Sequence, residues 1–250
     1  FQNQIFQMIE GEKLGSFWGY TFAGVWQEDD VNAPFVDANG QTNGKTNGEV
    51  YKVKPGNSKY VDVNKDGVYN DADQGIIGCG QPTFNWGWNN TFNYKNFDFS
   101  FFVVGFHGFD IYNATHQMGY NLIKSQQMAG VTPMRELLNR WTPTNTNTDI
   151  PGFVKGGTEN KDFFSTRFVE NGSFIKMKSI TLGYTLPEAT CRSLGINNLR
   201  VYASVQNPFH ITKYSGLDPE ATMGSPLVQG VDWGAYPNSR NYLIGLNFSF

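Results

Sequence analysis

The chain has 250 residues, and only 16% of them are charged, against roughly 25% in an ordinary globular domain. Its net charge of −3, without a basic stripe, argues against a nucleic-acid partner. No stretch approaches the roughly 18 consecutive apolar residues of a transmembrane helix.

Alternation of apolar and polar residues predicts about seven antiparallel strands. The second carries Trp18, Tyr20 and Phe22 on one face, and the third, which is the clearest, places Trp86 and Trp88 opposite small or polar neighbours. In chain order, the predicted strands cover residues 3–9, 16–26, 83–94, 97–106, 173–186, 198–207 and 241–250.

Short and long connections alternate between these strands. The links 95–96 and 187–197 are short, whereas 27–81, 108–171 and 211–239 are long. Bacterial outer-membrane barrels have short periplasmic turns and long extracellular loops. Strands of about ten residues exceed the typical 5–6 of soluble sheets and match the roughly 9–11 that span a membrane when tilted. The pattern therefore predicts an all-β fold, an antiparallel up-and-down transmembrane β-barrel segment with long extracellular loops.

The last predicted strand is apolar at every second position and ends on an aromatic residue. The apolar positions are Tyr242, Ile244, Leu246, Phe248 and Phe250. The ends of soluble domains usually fray, whereas the last strand of a barrel has to pair with the first to close the wall. These residues resemble the carboxyl-terminal signal that the barrel-assembly machinery reads, so we expect that machinery as a partner.

One helix is predicted in the second long segment, over residues 134–141. Thr132 and Pro133 suit its cap and first position, and Leu137 and Leu138 lie at positions with helical spacing. Such a helix either packs the loop onto the barrel or serves as a lid.

The first long segment contains a candidate calcium loop. In an EF-hand, oxygen ligands alternate along about 12 residues, a glycine permits a sharp turn, and one backbone carbonyl contributes. An aspartate at the last position departs from the usual glutamate, and the alternative is a polar, Asx-rich turn without an ion. The predicted ligands are Asp62, Asn64, Asp66, Asn70 and Asp73, with the Val68 carbonyl and the turn at Gly67.

Signals for catalysis are weak. No catalytic or phosphate-binding motif occurs, and the three histidines are isolated in the sequence. Asp218 and Glu220 could act as paired carboxylates in glycoside hydrolysis only at a suitable separation, and a turn beside Pro219 is the alternative. We therefore predict that the chain is not an enzyme and has no cofactor, apart from a structural Ca²⁺ if the aspartate loop binds one.

Two further groups of residues could bind a ligand or a metal. Tyr214, Trp233 and Tyr236 could stack on sugar rings, or they could pack within the loops. Cys79 and Cys191 are the only cysteines, and their separation has no metal-binding pattern, so we expect two unrelated thiols.

Several segments, in order and spacing, are similar to SusC/RagA-type TonB-dependent transporters. This resemblance implies that residues 1–250 are the carboxyl-terminal portion of an outer-membrane barrel of about 22 strands from a Bacteroidetes bacterium, with the plug and the earlier strands upstream. Such transporters import glycans or peptides with a SusD-like surface lipoprotein, and they take energy from TonB through the missing amino-terminal region. The similar segments are residues 60–73, 140–151, 172–187, 199–207 and 211–220.

Two classes of function follow from these observations. The first is a transport-barrel segment in the cell outer membrane, with the lipid bilayer, the lipoprotein, TonB and an oligosaccharide or peptide substrate as partners. The second is a secreted, calcium-dependent carbohydrate-binding β-sandwich. Strand length, the sorting of the loops and the aromatic terminal strand favour the first class.

Overall fold

The computed structural model describes residues 5–120, 134–153, 164–222 and 229–249. Within them no helix is both long enough and apolar enough to cross a membrane. The helices are α1 (Glu28–Asn32), α2 (Asn47–Tyr51), α3 (Ala114–Tyr120) and α4 (Glu188–Ser193). The strands are β1 (Ser16–Tyr20), β2 (Phe22–Val25), β3 (Pro34–Val36), β4 (Thr42–Thr46), β5 (Ser58–Tyr60), β6 (Gln74–Cys79), β7 (Phe84–Tyr94), β8 (Phe97–His107), β9 (Asp110–Asn113), β10 (Val169–Asn171), β11 (Phe174–Thr185), β12 (Asn198–Thr212), β13 (Val231–Asp232) and β14 (Asn241–Ser249).

Five long strands form one antiparallel sheet, which we call the main sheet. Its order is β14-β12-β11-β8-β7, so each strand lies beside its neighbours in sequence. At one end of the strands the Thr185 N–H donates to the Asn96 carbonyl at 2.8 Å, and the Asn197 N–H donates to the Ser249 carbonyl at 2.8 Å. The two short connections therefore lie at the same end of the strands, and the long connections leave from the opposite end. This confirms the predicted meander.

The main sheet has one apolar and one polar face, because paired residues on antiparallel strands share a face. Trp86 and Trp88 pair with Gly105 and Val103 on the apolar face, as predicted. Other members of the apolar face are Phe92, Phe99, Phe101, Met177, Ile180, Leu182, Val201, Val205, Phe209, Tyr242, Ile244, Leu246 and Phe248. The polar face includes Asn89, Thr91, Asp98, Ser100, Lys176, Thr181, Arg200, Ser204, Gln206 and Asn247.

A bulge interrupts this alternation in β11. The register shifts between Met177 and Ser179 against both neighbouring strands. Lys178 is an extra residue against β8, whereas β12 has two residues opposite it. On β12 the chain passes the same point with Asn207 in the left-handed region, at φ 49°, followed by Pro208. A bulge accommodates a proline that would interrupt a regular ladder, so β12 continues to Thr212 instead of ending at residue 207 as predicted.

The first two predicted strands do not belong to the main sheet. Residues 16–26 form two short strands, with β1 paired to β6 and β2 to β5. The single strand predicted over 16–26 is therefore wrong, and its residue Tyr20 is buried against Tyr60, with ring centroids 5.8 Å apart. Of residues 3–9, the described part forms only an isolated bridge between Phe6 and Phe17. The described residues thus contain five long strands, rather than about seven.

Residues 5–81 pack together with the two later long segments into a second region, which we call the loop body. Three small two-stranded sheets and the sheet β10-β9-β13 form it. A β-carbon added to Gly230 would lie 2.7 Å from the Gly80 Cα, so the first and third long segments touch backbone to backbone. One core of buried side chains comprises Ile5, Phe17, Tyr112, Ala114 and Phe168.

The predicted helix over 134–141 is instead a short 3-10 helix, Arg135–Asn139. Leu137 is buried while Leu138 is 79% exposed, so the two side chains do not form one apolar face. The chain leaves the helical conformation because the Trp141 N–H donates to the Ile150 carbonyl at 2.8 Å, across a turn. Thr132 and Pro133 lie outside the described residues.

Candidate functional site

A charge cluster lies on the polar face, near the end of the strands from which the long segments leave. Lys176 Nζ is 2.9 Å from Asp218 Oδ2 and 2.7 Å from Glu220 Oε2. The bulge residue Lys178 also forms an ion pair with Glu220, and the Asn238 side chain donates to both carboxylates. Burial alone would raise the pKa of each carboxyl group, but the hydrogen bonds from the lysines hold both pKa values below their ordinary range.

The carboxylates of this charge cluster are therefore not free for acid–base chemistry. Asp218 and Glu220 both accept hydrogen bonds from Lys176, and Pro219 begins the 3-10 turn Pro219–Thr222. A catalytic pair requires one carboxyl group with a raised pKa, and here both pKa values are lowered. The turn, not a hydrolytic pair, is the structural role of these residues.

A second charged group lies at the opposite end of the polar face. Arg200 donates to Asp98 through Nε at 2.8 Å and through a terminal nitrogen at 2.5 Å, which is the bidentate geometry of a strong pair. The guanidinium carbon of Arg200 lies 4.9 Å from the centroid of the Tyr202 ring. Gly183 and Gly245 leave room for this group, because a β-carbon at either glycine would clash with its side chains. The sequence pointed to Asp218 and Glu220 but not to their lysine partners or to the pair of Arg200 with Asp98, although charged residues at the polar positions of such strands could have signalled them.

The predicted calcium ligands only partly converge. Asp66 Oδ2 accepts from the side-chain amides of Asn64, at 2.9 Å, and Asn70, at 3.2 Å. The same Asn70 amide donates to the Val68 carbonyl at 3.2 Å. Asp73 is buried and closes the loop by accepting from the N–H groups of residues 63 and 70. Four of the six predicted ligands are therefore linked to one another by hydrogen bonds around Asp66.

Asp62 provides a test of whether this loop suits a cation. Its Oδ2 accepts from the Gly67 N–H and the Tyr51 hydroxyl, both at 2.8 Å, whereas its Oδ1 is buried and has no hydrogen-bond partner. A buried carboxylate oxygen without a partner is costly, and a Ca²⁺ ion would satisfy it. Gly67 has the left-handed φ of 83° that the sharp turn needs. In the described residues no three acidic, histidine or cysteine side chains are already gathered into a metal cluster.

The three aromatic residues proposed to stack on sugars lie in different environments. Tyr214 is buried, and its hydroxyl donates to Asp232 Oδ2 at 2.5 Å, so stacking by Tyr214 is ruled out. Trp233 and Tyr236 are both exposed, Tyr236 by 90%. Asp232 Oδ1 accepts from the N–H groups of Gly234 and Ala235, and this fixes the turn that carries the two exposed rings.

The remaining predicted residues lie as follows. Of the terminal apolar positions, Tyr242, Ile244, Leu246 and Phe248 are exposed on the apolar face, and Phe250 lies outside the described residues. Cys79 and Cys191 are free thiols, as expected, and Cys191 is buried.

The chain is similar to known receptors over its whole length. It is 35% identical to TonB-dependent receptor P3 of Formosa agariphila over 255 residues, which cover 100% of the chain and 23% of that relative. It is 32% identical to TonB-dependent receptor SusC of Bacteroides thetaiotaomicron over 199 residues, which cover 79% of the chain and 18% of SusC. The chain thus spans about a quarter or less of the length of these curated relatives. No protein-family model matches it.

Solved structures share its fold. The structure of the RagAB peptide transporter superposes with a TM-score of 0.68 at 23% identity, covering 98% of this chain and 24% of that one. A RagAB peptide importer in the "open-open" state gives a TM-score of 0.67. The chain therefore has the all-β, mainly antiparallel fold of this class of transporter. With the curated relatives, this identifies it as a homologue of the TonB-dependent receptors that include SusC, proteins named as receptors and transporters rather than enzymes.

Proposed function

We propose that the main sheet is part of the wall of an outer-membrane importer. The observation that carries the proposal is the apolar face, where large side chains such as Trp88, Phe92 and Ile244 are exposed along every strand. Soluble proteins rarely expose a contiguous apolar surface of this kind, whereas lipid covers it in a transmembrane barrel. The polar face then lines the interior, and the outer edges of β7 and β14 pair with further strands of the barrel.

The secreted β-sandwich is the alternative, and it requires a second sheet against the apolar face. Among the described residues no second sheet covers the apolar face, and its side chains stay exposed. The transport barrel accounts for this surface and the sandwich does not.

The proposed activity is TonB-dependent import of a glycan or a peptide, together with a SusD-like surface lipoprotein. The similarity to SusC and the shared fold with the RagAB peptide transporter support it. The test is to purify the full-length receptor from outer membranes with an affinity tag. We expect it in the outer-membrane fraction, soluble only in detergent, with a lipoprotein co-purifying. A receptor that is soluble without detergent would contradict the proposal.

We also propose that the aspartate loop binds one Ca²⁺ on the extracellular side, through Asp62, Asn64, Asp66 and the Val68 carbonyl. The partnerless Asp62 oxygen supports this, as does the gathering of Asn64, Val68 and Asn70 around Asp66 by hydrogen bonds. The side-chain amides of Asn64 and Asn70 both present nitrogen to Asp66. Each would turn its oxygen inward or bind through water, since amide orientation is assigned from hydrogen bonding. The ion would order the loop, and its affinity could be as weak as roughly 10⁻⁴–10⁻³ M, as in other extracellular modules.

The exposed rings of Trp233 and Tyr236 are the proposed contacts for a sugar, because each carries an apolar face that a sugar ring could cover. Tyr214 is not part of this proposal.

A further inference from the structure

The third long segment folds back onto the polar face of the main sheet instead of extending away from it. Its residues 217–222, which we call the strap, contain both carboxylates of the charge cluster. We propose that the strap crosses the interior of the barrel and narrows the passage, and that the charge cluster fixes it to the wall. This inference rests on the proposed function, which makes the polar face the interior one.

Burial shows that the contact is tight. The side chains of Lys176 and Asp218 are only 2% and 3% exposed, although Lys176 lies on the face that the proposed passage exposes to water. A buried lysine keeps its charge only when it is paired, and detaching the strap would leave that charge uncompensated. Two lysines face two carboxylates, so the cluster is balanced in place.

The bulge in β11 adds the second lysine. Without the extra residue, alternation would place only every second side chain on the polar face. Lys178 is that extra residue, and it pairs with the same Glu220 carboxylate as Lys176. Bulges often redirect a side chain beside a functional feature, and here the bulge increases the number of contacts that hold the strap.

A cysteine below the strap can report on the width of the passage. Ser204 lies on the polar face, paired with Thr181. It is closer than Lys176 to the end of the strands that carries the short connections. The full-length receptor, with Cys79→Ser and Cys191→Ser, would carry Ser204→Cys and be labelled on intact cells with a membrane-impermeant methanethiosulfonate. We expect labelling to be several times faster when Asp218→Asn and Glu220→Gln neutralise the strap.

Two controls make the result interpretable. Tyr236→Cys, which is exposed, should react at the same rate with either strap. Glu220→Asp keeps a carboxylate facing both lysines and should leave labelling slow, which separates loss of the charges from a general disturbance of the strap. Equal rates for the native and neutralised straps would overturn the proposal.

The apolar face distinguishes a wrong strap from a wrong function. Ile244→Cys should stay protected from the impermeant reagent because lipid covers it. Rapid labelling of Ile244→Cys would overturn the proposed membrane location, and the interior strap with it. Protection of Ile244→Cys together with equal labelling at position 204 would overturn the strap alone.

Discussion

Asp66 occupies the centre of the aspartate loop, where its carboxylate accepts from Asn64, Asn70 and the Val68 N–H. These hydrogen bonds, led by that from Val68, lower the pKa of Asp66, so the ligand is ionised at neutral pH. We expect Asp66→Ala to weaken calcium binding to the full-length receptor by about tenfold or more, because affinity follows the number of charged ligands. Terbium luminescence, with calcium as competitor, would measure it.

Asp71 supplies the matched control for this prediction. It lies in the same loop but outside the predicted ligand set, and its carboxylate accepts from the Gln74 side chain. Asp71→Ala should leave the affinity nearly unchanged. If the two variants bind the ion equally well, the loop is the Asx-rich turn without a metal.

The charge cluster should make the strap sensitive to acid. The folded-state pKa values of Asp218 and Glu220 lie below their unfolded values of about 4, so their contribution to stability is fully present above that range. It is lost as the pH falls through the lowered, folded-state values. Proteolysis of the third long segment should therefore speed up in acid in the native receptor.

The neutral variant Asp218→Asn with Glu220→Gln tests whether these two carboxylates cause the sensitivity to acid. Its proteolysis should be fast already at neutral pH, so that acid adds little. An equal response to acid in the native and neutral receptors would place the sensitivity elsewhere.

Some of these residues could be predicted from sequence and others could not. The ligands of the aspartate loop lie within one local turn, so their spacing alone indicated them. The lysine partner of Asp218 is 42 positions away along the chain, and no local pattern encodes such a pair. For Tyr214 the sequence left sugar stacking and loop packing open, and the fold decides for packing by placing its ring in a cluster with Phe109 and Phe174.

At the scale of elements, the strands of the main sheet agree with the sequence because period-two alternation follows directly from strand geometry. Residues 16–26 show the limit of that argument. Their aromatic alternation is equally compatible with a lipid-facing strand and with a buried strand. Gly19 lies against the Phe164 carbonyl, so this strand is covered by a distant segment.

The apolar face makes a directional prediction for β7. Trp88 lies on that face and Asn89 on the polar one. Trp88→Arg should cost about 2–4 kcal/mol if the position lies near the middle of the bilayer. The measurement is the free energy of unfolding of the full-length receptor in lipid vesicles. Asn89→Arg should cost clearly less, and the reverse order would show that the faces are exchanged.

At the scale of the whole molecule, the three long segments behave as one body because glycines let their backbones meet. Gly230 has a φ of 86°, and an added β-carbon would also approach the Asp110 carbonyl at 2.8 Å. Its own carbonyl accepts from the Tyr112 N–H at 2.7 Å. The second and third long segments are therefore joined at the same point at which the first touches the third.

Gly230→Ala should accordingly loosen the whole loop body. We expect a loss of more than about 1 kcal/mol, because backbone strain and a clash with another segment both act. Gly40→Ala is the control, since Gly40 has a similar φ of 77° but nothing within 4 Å of an added β-carbon. Amide exchange in β9 and β13 should rise in the first variant only. Similar exchange in both variants would mean that strain, not the contact between segments, decides the effect.

The apolar face also bears on how the whole protein is assembled into the outer membrane. The exposed side chains of β14 continue the alternation towards Phe250, and its outer edge has no partner among the described strands. A barrel without a closed edge cannot be stable in lipid, because each unpaired backbone group costs free energy there. We therefore expect deletion of Phe250 from the full-length protein to lower its level in the outer membrane, measured by immunoblotting of membrane fractions. Ser249→Ala, at the adjacent polar position, should have little effect. Normal insertion of the shortened chain would show that assembly does not read the final aromatic residue.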